Sequence, residues 1–485
     1  MRGAGWTVCV AVVVAAVLAA GLAVSSDLAT SSPSRSHVHG HPTGRHAVTT
    51  RLETERQCLA TRTIRLPCYD PAQIERAYDL GPLFKRGIDG RGETIAIVDS
   101  FGSPTIRTDL GRFDSAFHLP APPSFRVIQP AGAVPPYKGR TSTMVGWAGE
   151  TTLDVEWAHA MAPGAAIVLV ETPVSETEGT TGFPQIVTSE NYVIDNHLAD
   201  VISQSFGATE ETFASAQSLV GLRSAILNAA SQGITMVAAA GDTGVADFAT
   251  ATSRRHSTVP EVTWPASDPL VTAVGGTQLT LTSSGMRDAP DQAWNDTYDP
   301  TVNRFLFGTT KPHADATGGG LSSVFSRPSF QDGVAAVVGD HRGIPDISMS
   351  AACSGLVDTY QSFGGPTPPG WYYVCGTSEA TPLFAGIVAL ADQLAGHPLG
   401  VINPAIYAMS AAGAPGIVHV TQGNNTVSFF QTGVEETVNG YDAGTGYSLV
   451  TGVGTVDAAL FVPELVAAVK STGTTVSYGY LTPAA

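Results

Sequence analysis

From about Tyr69 onward, short unbroken apolar runs alternate with longer segments of helical periodicity. The first run, Thr94-Ile95-Ala96-Ile97-Val98, is bounded by Gly92 and Asp99, and similar runs follow at Ala166–Val170, Asp200–Ile202, Ile234–Ala238 and Leu270–Val274. A strand without polar alternation has both faces covered, as in parallel sheets. Helical spacing predicts helices over about Thr151–Met161 and Phe213–Ser231, the second stopped by Gly233, and a last one over about Val462–Val469. Strands alternating with helices imply an α/β fold, a mainly parallel sheet with helices on both faces. No internal repeat is evident, and the Ser/Thr/Gly-rich tail, residues 471–485, is assigned no structure.

Before Tyr69 the pattern differs. Arg2 precedes an apolar stretch from about Trp6 to Val24 that ends in Ala23-Val24-Ser25, the form of a secretory signal over residues 1–25. A single membrane anchor is the competing reading, because the stretch approaches spanning length. Residues 26–66 are rich in Ser, Thr, Pro, Arg and His, including Ser36-His37-Val38-His39-Gly40-His41, and lack apolar periodicity. They read as a linker, with a transition-metal tract as the alternative. Removal of the signal takes Cys9 with it and leaves four cysteines. An even count in an exported chain suggests two local disulfides, Cys58–Cys68 and Cys353–Cys375, although sequence alone does not fix connectivity.

The composition narrows the partners. Among 485 residues, 25 are Lys or Arg and 42 Asp or Glu, a formal charge of −17 that argues against nucleic acid or anionic membrane as the main partner. Only 14% are charged, so much of the surface is Ser, Thr, Gly, Gln and Asn, which stay neutral when carboxylates protonate; this suits an acidic medium.

In an open parallel sheet the chemistry gathers beyond the carboxyl ends of the strands. Three segments there carry candidate groups. In Cys375-Gly376-Thr377-Ser378-Glu379-Ala380-Thr381-Pro382, Ser378 follows a Gly-Thr turn at the start of an apolar helix, where free backbone N–H groups favour a developing negative charge. A plain helix cap would look the same. In Gly149-Glu150-Thr151-Thr152-Leu153-Asp154, two carboxylates four residues apart share one helix face. Such a pair is either a solvated acidic face or a coupled site whose base strength is set by its neighbour. In Ala239-Ala240-Gly241-Asp242-Thr243-Gly244, Asp242 either makes an Asx-turn or, kept protonated by burial, donates a hydrogen bond to an oxyanion.

The order and wording of these segments resemble the sedolisin family of serine carboxyl peptidases, which have a subtilisin-like fold and act in acid. The resemblance runs from about Cys68 through Val466 and takes in Ile202-Ser203-Gln204-Ser205-Phe206-Gly207, Pro163-Gly164-Ala165 and Pro345-Asp346. It implies a peptidase domain over residues 67–470, either an endopeptidase or a tripeptidyl-peptidase. The implied roles are Ser378 as nucleophile, Glu150 as general base, Asp154 as the residue that orients Glu150, and Asp242 as the oxyanion acid. A Glu, with a reference pKa of roughly 4.3, is a competent base in acid, where a His of roughly 6.5 is protonated. The expectation is a secreted monomer acting on proteins or peptides, free of membrane once the signal is removed.

Two other readings compete. Val98-Asp99-Ser100-Phe101-Gly102 looks like the strand-end Asp of an Asp-His-Ser subtilase, with His159 in the right chain order but without that triad's usual His setting. An exported binding protein on a dead peptidase scaffold would have no need for Ser378 and Glu150 together.

The chain departs from the family pattern twice. The family is usually made with a long N-terminal prosegment, whereas only about 40 residues separate the expected signal from the catalytic region, so a different activation route is expected. The family's C-terminal calcium site, by the resemblance, falls on His419, Val420, Gly444, Gly446 and Ser448, and the two aspartates expected there are replaced by His419 and Ser448. Losing both carboxylates removes the ligands that most favour a hard cation, so no cofactor is expected, although Asp442 or Asp457 could substitute. The loop is expected to be held by direct hydrogen bonds instead.

Overall fold

The structure, a computed structural model, describes residues 66–252, 255–365 and 368–481. The expected signal, nearly all of the 26–66 linker and Cys58 lie outside the described residues.

Eight strands form the central sheet: β1 Thr94–Ser100, β2 Phe125–Ile128, β3 Ala166–Thr172, β4 Val201–Gln204, β5 Thr235–Ala239, β6 Thr272–Gln278, β7 Gln292–Ala293 and β8 Ile347–Ser350. The pairing order is β2–β3–β1–β4–β5–β6, all parallel, with β8 parallel and β7 antiparallel on β6. The chain builds outward from β1 in both directions, which leaves a crevice at the carboxyl ends of β1 and β4.

Alternate strand residues feed two cores. Ile95, Ile97, Ile167, Leu169, Val201 and Val237 pack with Leu153 and Trp157 of helix α2 (Ser142–Met161) and with Leu383, Phe384 and Ile387 of α5 (Thr377–Ala395). On the other face Ala96, Val98, Val168, Val170, Ile202 and Met236 meet α3 (Phe183–Asp195) and α4 (Ser224–Gln232). This two-sided burial explains the unbroken apolar runs. Helix α1 (Ile106–Phe117) packs on α2, while α6 (Asn403–Ala411) and α7 (Ala458–Thr472) pack on each other, and α7 also on α5. The first core runs without interruption from Leu66 to Val469.

Four local expectations change. Helix α2 starts nine residues earlier than Thr151, because Met144 through Ala162 are buried on every side and packing overrides the weak helix propensity of its glycines. The helix expected over Phe213–Ser231 is two, Ala216–Val220 and α4, separated where Arg223 turns inward to pair with Asp268 (Nη2 to Oδ1, 2.8 Å). Strand β6 continues past Val274 through Gly275 and Gly276; a Cβ there would come within 2.6 Å of Pro345 and 2.7 Å of Trp294. Finally, the tail is not without structure. Tyr480 bridges Phe325, Leu481 N–H donates to the Val324 carbonyl (2.9 Å), and Arg223 lies 4.8 Å from the Tyr478 ring centre.

Cys353 and Cys375 form a disulfide with Cα atoms 5.0 Å apart, as expected. Cys68 is also disulfide-bonded.

Candidate active site

Helices α2 and α5 lie against each other under the sheet, and their contact brings the candidate groups together. Glu150 and Asp154 project from adjacent turns of α2, 3% and 0% exposed. Ser378 is the second residue of α5 and 6% exposed. Its hydroxyl is the hydrogen-bonding neighbour that favours ionised Glu150. Asp154 Oδ1 accepts from Ser205 Oγ (2.9 Å), and the same hydroxyl lies 3.3 Å from the Ser378 carbonyl oxygen. Ser205 directly follows β4, so one side chain ties the acid pair, the strand end and the nucleophile's backbone together.

Asp242 stands just beyond β5. Its Oδ1 accepts from both the N–H and the hydroxyl of Thr377, each at 2.7 Å. Gly376, with φ +115°, is the residue before α5; a Cβ on it would sit 2.8 Å from Asp242 Oδ2, so only glycine lets the carboxyl approach. The disulfide at Cys375 anchors this turn from the other side.

Burial sets the electrostatics. It pushes Glu150 well above the ordinary carboxyl range; the Ser378 hydroxyl opposes this, and Asp99 and Asp242 add to it. Asp154 is raised by burial, then by Asp99 and Glu150, against the Ser205 hydrogen bond. Asp242 is raised by burial and held back by the two Thr377 bonds. Asp99, at the end of β1, is pushed up to about 7 by burial, with Glu171 adding to it. The site is thus a cluster of carboxyls that cannot all ionise together, and a proton shared among them is its natural state.

Asp99 therefore belongs with Glu150 and Asp154, a role sequence reasoning missed when it read the residue only as half of an Asp-His pair. His159 is elsewhere in function. Its ring is buried, Nε2 lies 2.7 Å from the Pro120 carbonyl oxygen and 3.4 Å from Asp114, and burial lowers it to about 4. Ser205 and Thr377 were also missed as contributors, although both lie inside motifs that the sequence displays.

The residues at the family's calcium position do not fit the ion. His419 Nδ1 lies 3.2 Å from the Val453 carbonyl oxygen. The Ser448 hydroxyl is engaged by Thr451 Oγ1 (3.1 Å) and Thr451 N–H (3.2 Å). Ser448 and Gly452 exchange backbone hydrogen bonds of 2.9 and 3.0 Å. Val420 is buried, Gly446 takes φ +81°, and Gly444 contributes no side chain. Among the described residues, Asp296, Asp315 and Cys353 lie within 4.8 Å of one another, but Cys353 is in the disulfide and offers no thiolate.

The chain is similar to known proteins over most of its length. Residues 141–431 match the model of the subtilase family. Kumamolisin of Bacillus sp. (strain MN-32) is 31% identical over 393 residues, 80% of this chain and 61% of its own length. Sedolisin of Pseudomonas sp. (strain 101) is 31% identical over 382 residues, 78% of this chain and 58% of its own. The chain thus spans about three fifths of the length of these relatives. The solved structure of Pseudomonas sedolisin, a serine-carboxyl proteinase complexed with pseudo-iodotyrostatin, superposes with a TM-score of 0.63 at 27% identity, covering 84% of this chain and 99% of that one. The chain belongs to the subtilase family, and over most of its length it is similar to kumamolisin and sedolisin.

Proposed function

We propose that this chain is an exported, acid-active serine-carboxyl peptidase that cleaves proteins or peptides through an acyl-enzyme on Ser378. The observation that carries the reading is the buried Ser378–Glu150–Asp154 arrangement, with Asp242 bonded to Thr377 at the start of the helix that carries Ser378. Ser378 Oγ attacks the scissile carbonyl carbon while its proton passes to Glu150. The carbonyl oxygen becomes an oxyanion and takes a hydrogen bond from protonated Asp242. Collapse breaks the C–N bond, and Glu150 returns its proton to the leaving amine. Water then repeats the sequence on the acyl-enzyme. Ionisation of Asp154 or Asp99 beside Glu150 would favour its protonated form, so Glu150 accepts the proton more readily wherever one of them is charged. The cycle needs Glu150 ionised and Asp242 protonated at once, and the second requirement makes it fail as pH rises and Asp242 loses its proton. Export is supported by the apolar segment after Arg2.

Digestion of a denatured protein from about pH 2.5 to 8, by the purified chain and by Ser378→Ala, tests the reading. Expected is an acid optimum that falls by roughly 10³-fold or more in the variant. Activity confined to pH above 7 would return Asp99 and His159 to consideration, and no cleavage by a folded chain at any pH would favour a non-catalytic scaffold.

A further inference from the structure

Asp242 has two carboxyl oxygens, and only one of them can serve an oxyanion. Oδ1 is taken: it accepts the Thr377 N–H and the Thr377 hydroxyl, both at 2.7 Å. The hydroxyl has no freedom to turn away, because Thr377 Oγ1 itself accepts the Gly241 N–H at 3.1 Å. An oxygen that accepts two donors is a poor place for an acid proton, since a proton there would meet two others head-on. Oδ2 is the oxygen left, and it lies against Gly376, where a Cβ would come within 2.8 Å.

We propose that Thr377 is a positioning residue for the acid of the oxyanion site: its paired donors on Oδ1 confine the Asp242 proton to Oδ2 and so aim it. This rests on the reading of Asp242 given above. The ring from Gly241 N–H through the Thr377 hydroxyl to Asp242 Oδ1 closes between residues next to one another in two separate motifs. The titratable groups facing Asp242 are Glu150 of α2 and Asp315 of the segment behind it, both carboxyls. The Thr377 bonds favour the ionised form of Asp242 against burial. Removing the hydroxyl therefore has two separable effects. With only the backbone N–H left on Oδ1 the proton is confined to Oδ2 less firmly, which lowers kcat, and the carboxyl holds its proton to higher pH, which moves the alkaline limb of the kcat profile upward.

The test compares Thr377→Val, which keeps the shape and the backbone N–H but deletes the hydroxyl, with Thr377→Ser, which restores it. For Thr377→Val the expected result is a fall in kcat of roughly tenfold, with KM within about twofold of the parent. Its alkaline limb is expected to rise by about one pH unit. Thr377→Ser should return both values to near the parent. A Thr377→Val enzyme with unchanged kcat and limb would overturn the proposal. So would a Thr377→Ser enzyme as impaired as the valine variant, because packing would then be the cause. Should Thr377→Val fail to fold, Thr377→Ala carries the same expectations and the same overturning outcomes. Asp242→Asn, measured in parallel, separates the two levels. Parent activity with an unchanged limb in Asp242→Asn would overturn the acid role of Asp242 and the proposal with it. A loss there without any effect at Thr377 would overturn the proposal alone.

Discussion

Glu150 and Asp154 share a helix that has no solvent face, so their pairing is not the usual exposed i,i+4 acid pair but a desolvated one. A carboxylate in that setting is costly unless something nearby needs its charge, and Ser378 is the neighbour that does. Replacing Glu150 by Gln removes the proton acceptor while keeping shape. We expect Glu150→Gln to lose at least roughly 10³-fold in kcat with an unchanged circular dichroism spectrum; an active variant would mean that the base lies elsewhere. The four residues read from sequence were legible because each sits in a short local motif. Asp99, Ser205 and Thr377 were not read as partners because their contacts span 51 residues for Ser205 and Asp154, and 135 for Thr377 and Asp242, distances that no local pattern encodes.

At the level of elements, the strands were legible because burial on both faces leaves an unbroken apolar run. Helix ends were less so, since tertiary contacts rather than caps decide them. Arg223 interrupts an otherwise continuous helical pattern only because Asp268, 45 residues on, is buried opposite it. Deleting either partner would leave the other as an uncompensated buried charge, a loss usually worth about 3–5 kcal/mol. In the C-terminal loop the sequence departs from the family pattern. His419 and Ser448 replace carboxylates, and the turn closes on itself through Thr451 and Gly452. Incubation with a chelator is therefore expected to leave the Tm unchanged; a drop of several degrees by calorimetry would show that a metal holds the loop. The tail eluded sequence reading because the partners of Tyr478 and Tyr480, Arg223 and Phe325, lie more than 150 residues away.

Over the whole molecule, carboxyls held up by burial occur both beside the active site and away from it. Burial pushes Glu75 and Asp99 up to about 7 and Glu190 up to about 8, and raises Glu156, Glu379 and Asp392 as well. Each has a folded-state value above its unfolded one of about 4. The contribution of Glu75, Asp99 and Glu190 to stability is thus complete below about pH 4 and is lost as pH rises through about 7 to 8. The Tm is expected to be highest near pH 4 and to fall by at least about 10 °C by pH 8. A flat or rising profile would show that these groups are ionised in the fold. The low charge density and acidic balance read from the composition are thus the surface counterpart of an interior built to keep its acids neutral.

Those neutral acids also mean that the formal charge of −17 overstates what the native chain carries. Near neutrality, unfolding releases their protons into the medium. The heat of unfolding then depends on the buffer's own ionisation enthalpy, and the native molecule migrates toward the anode more slowly than its residue count implies.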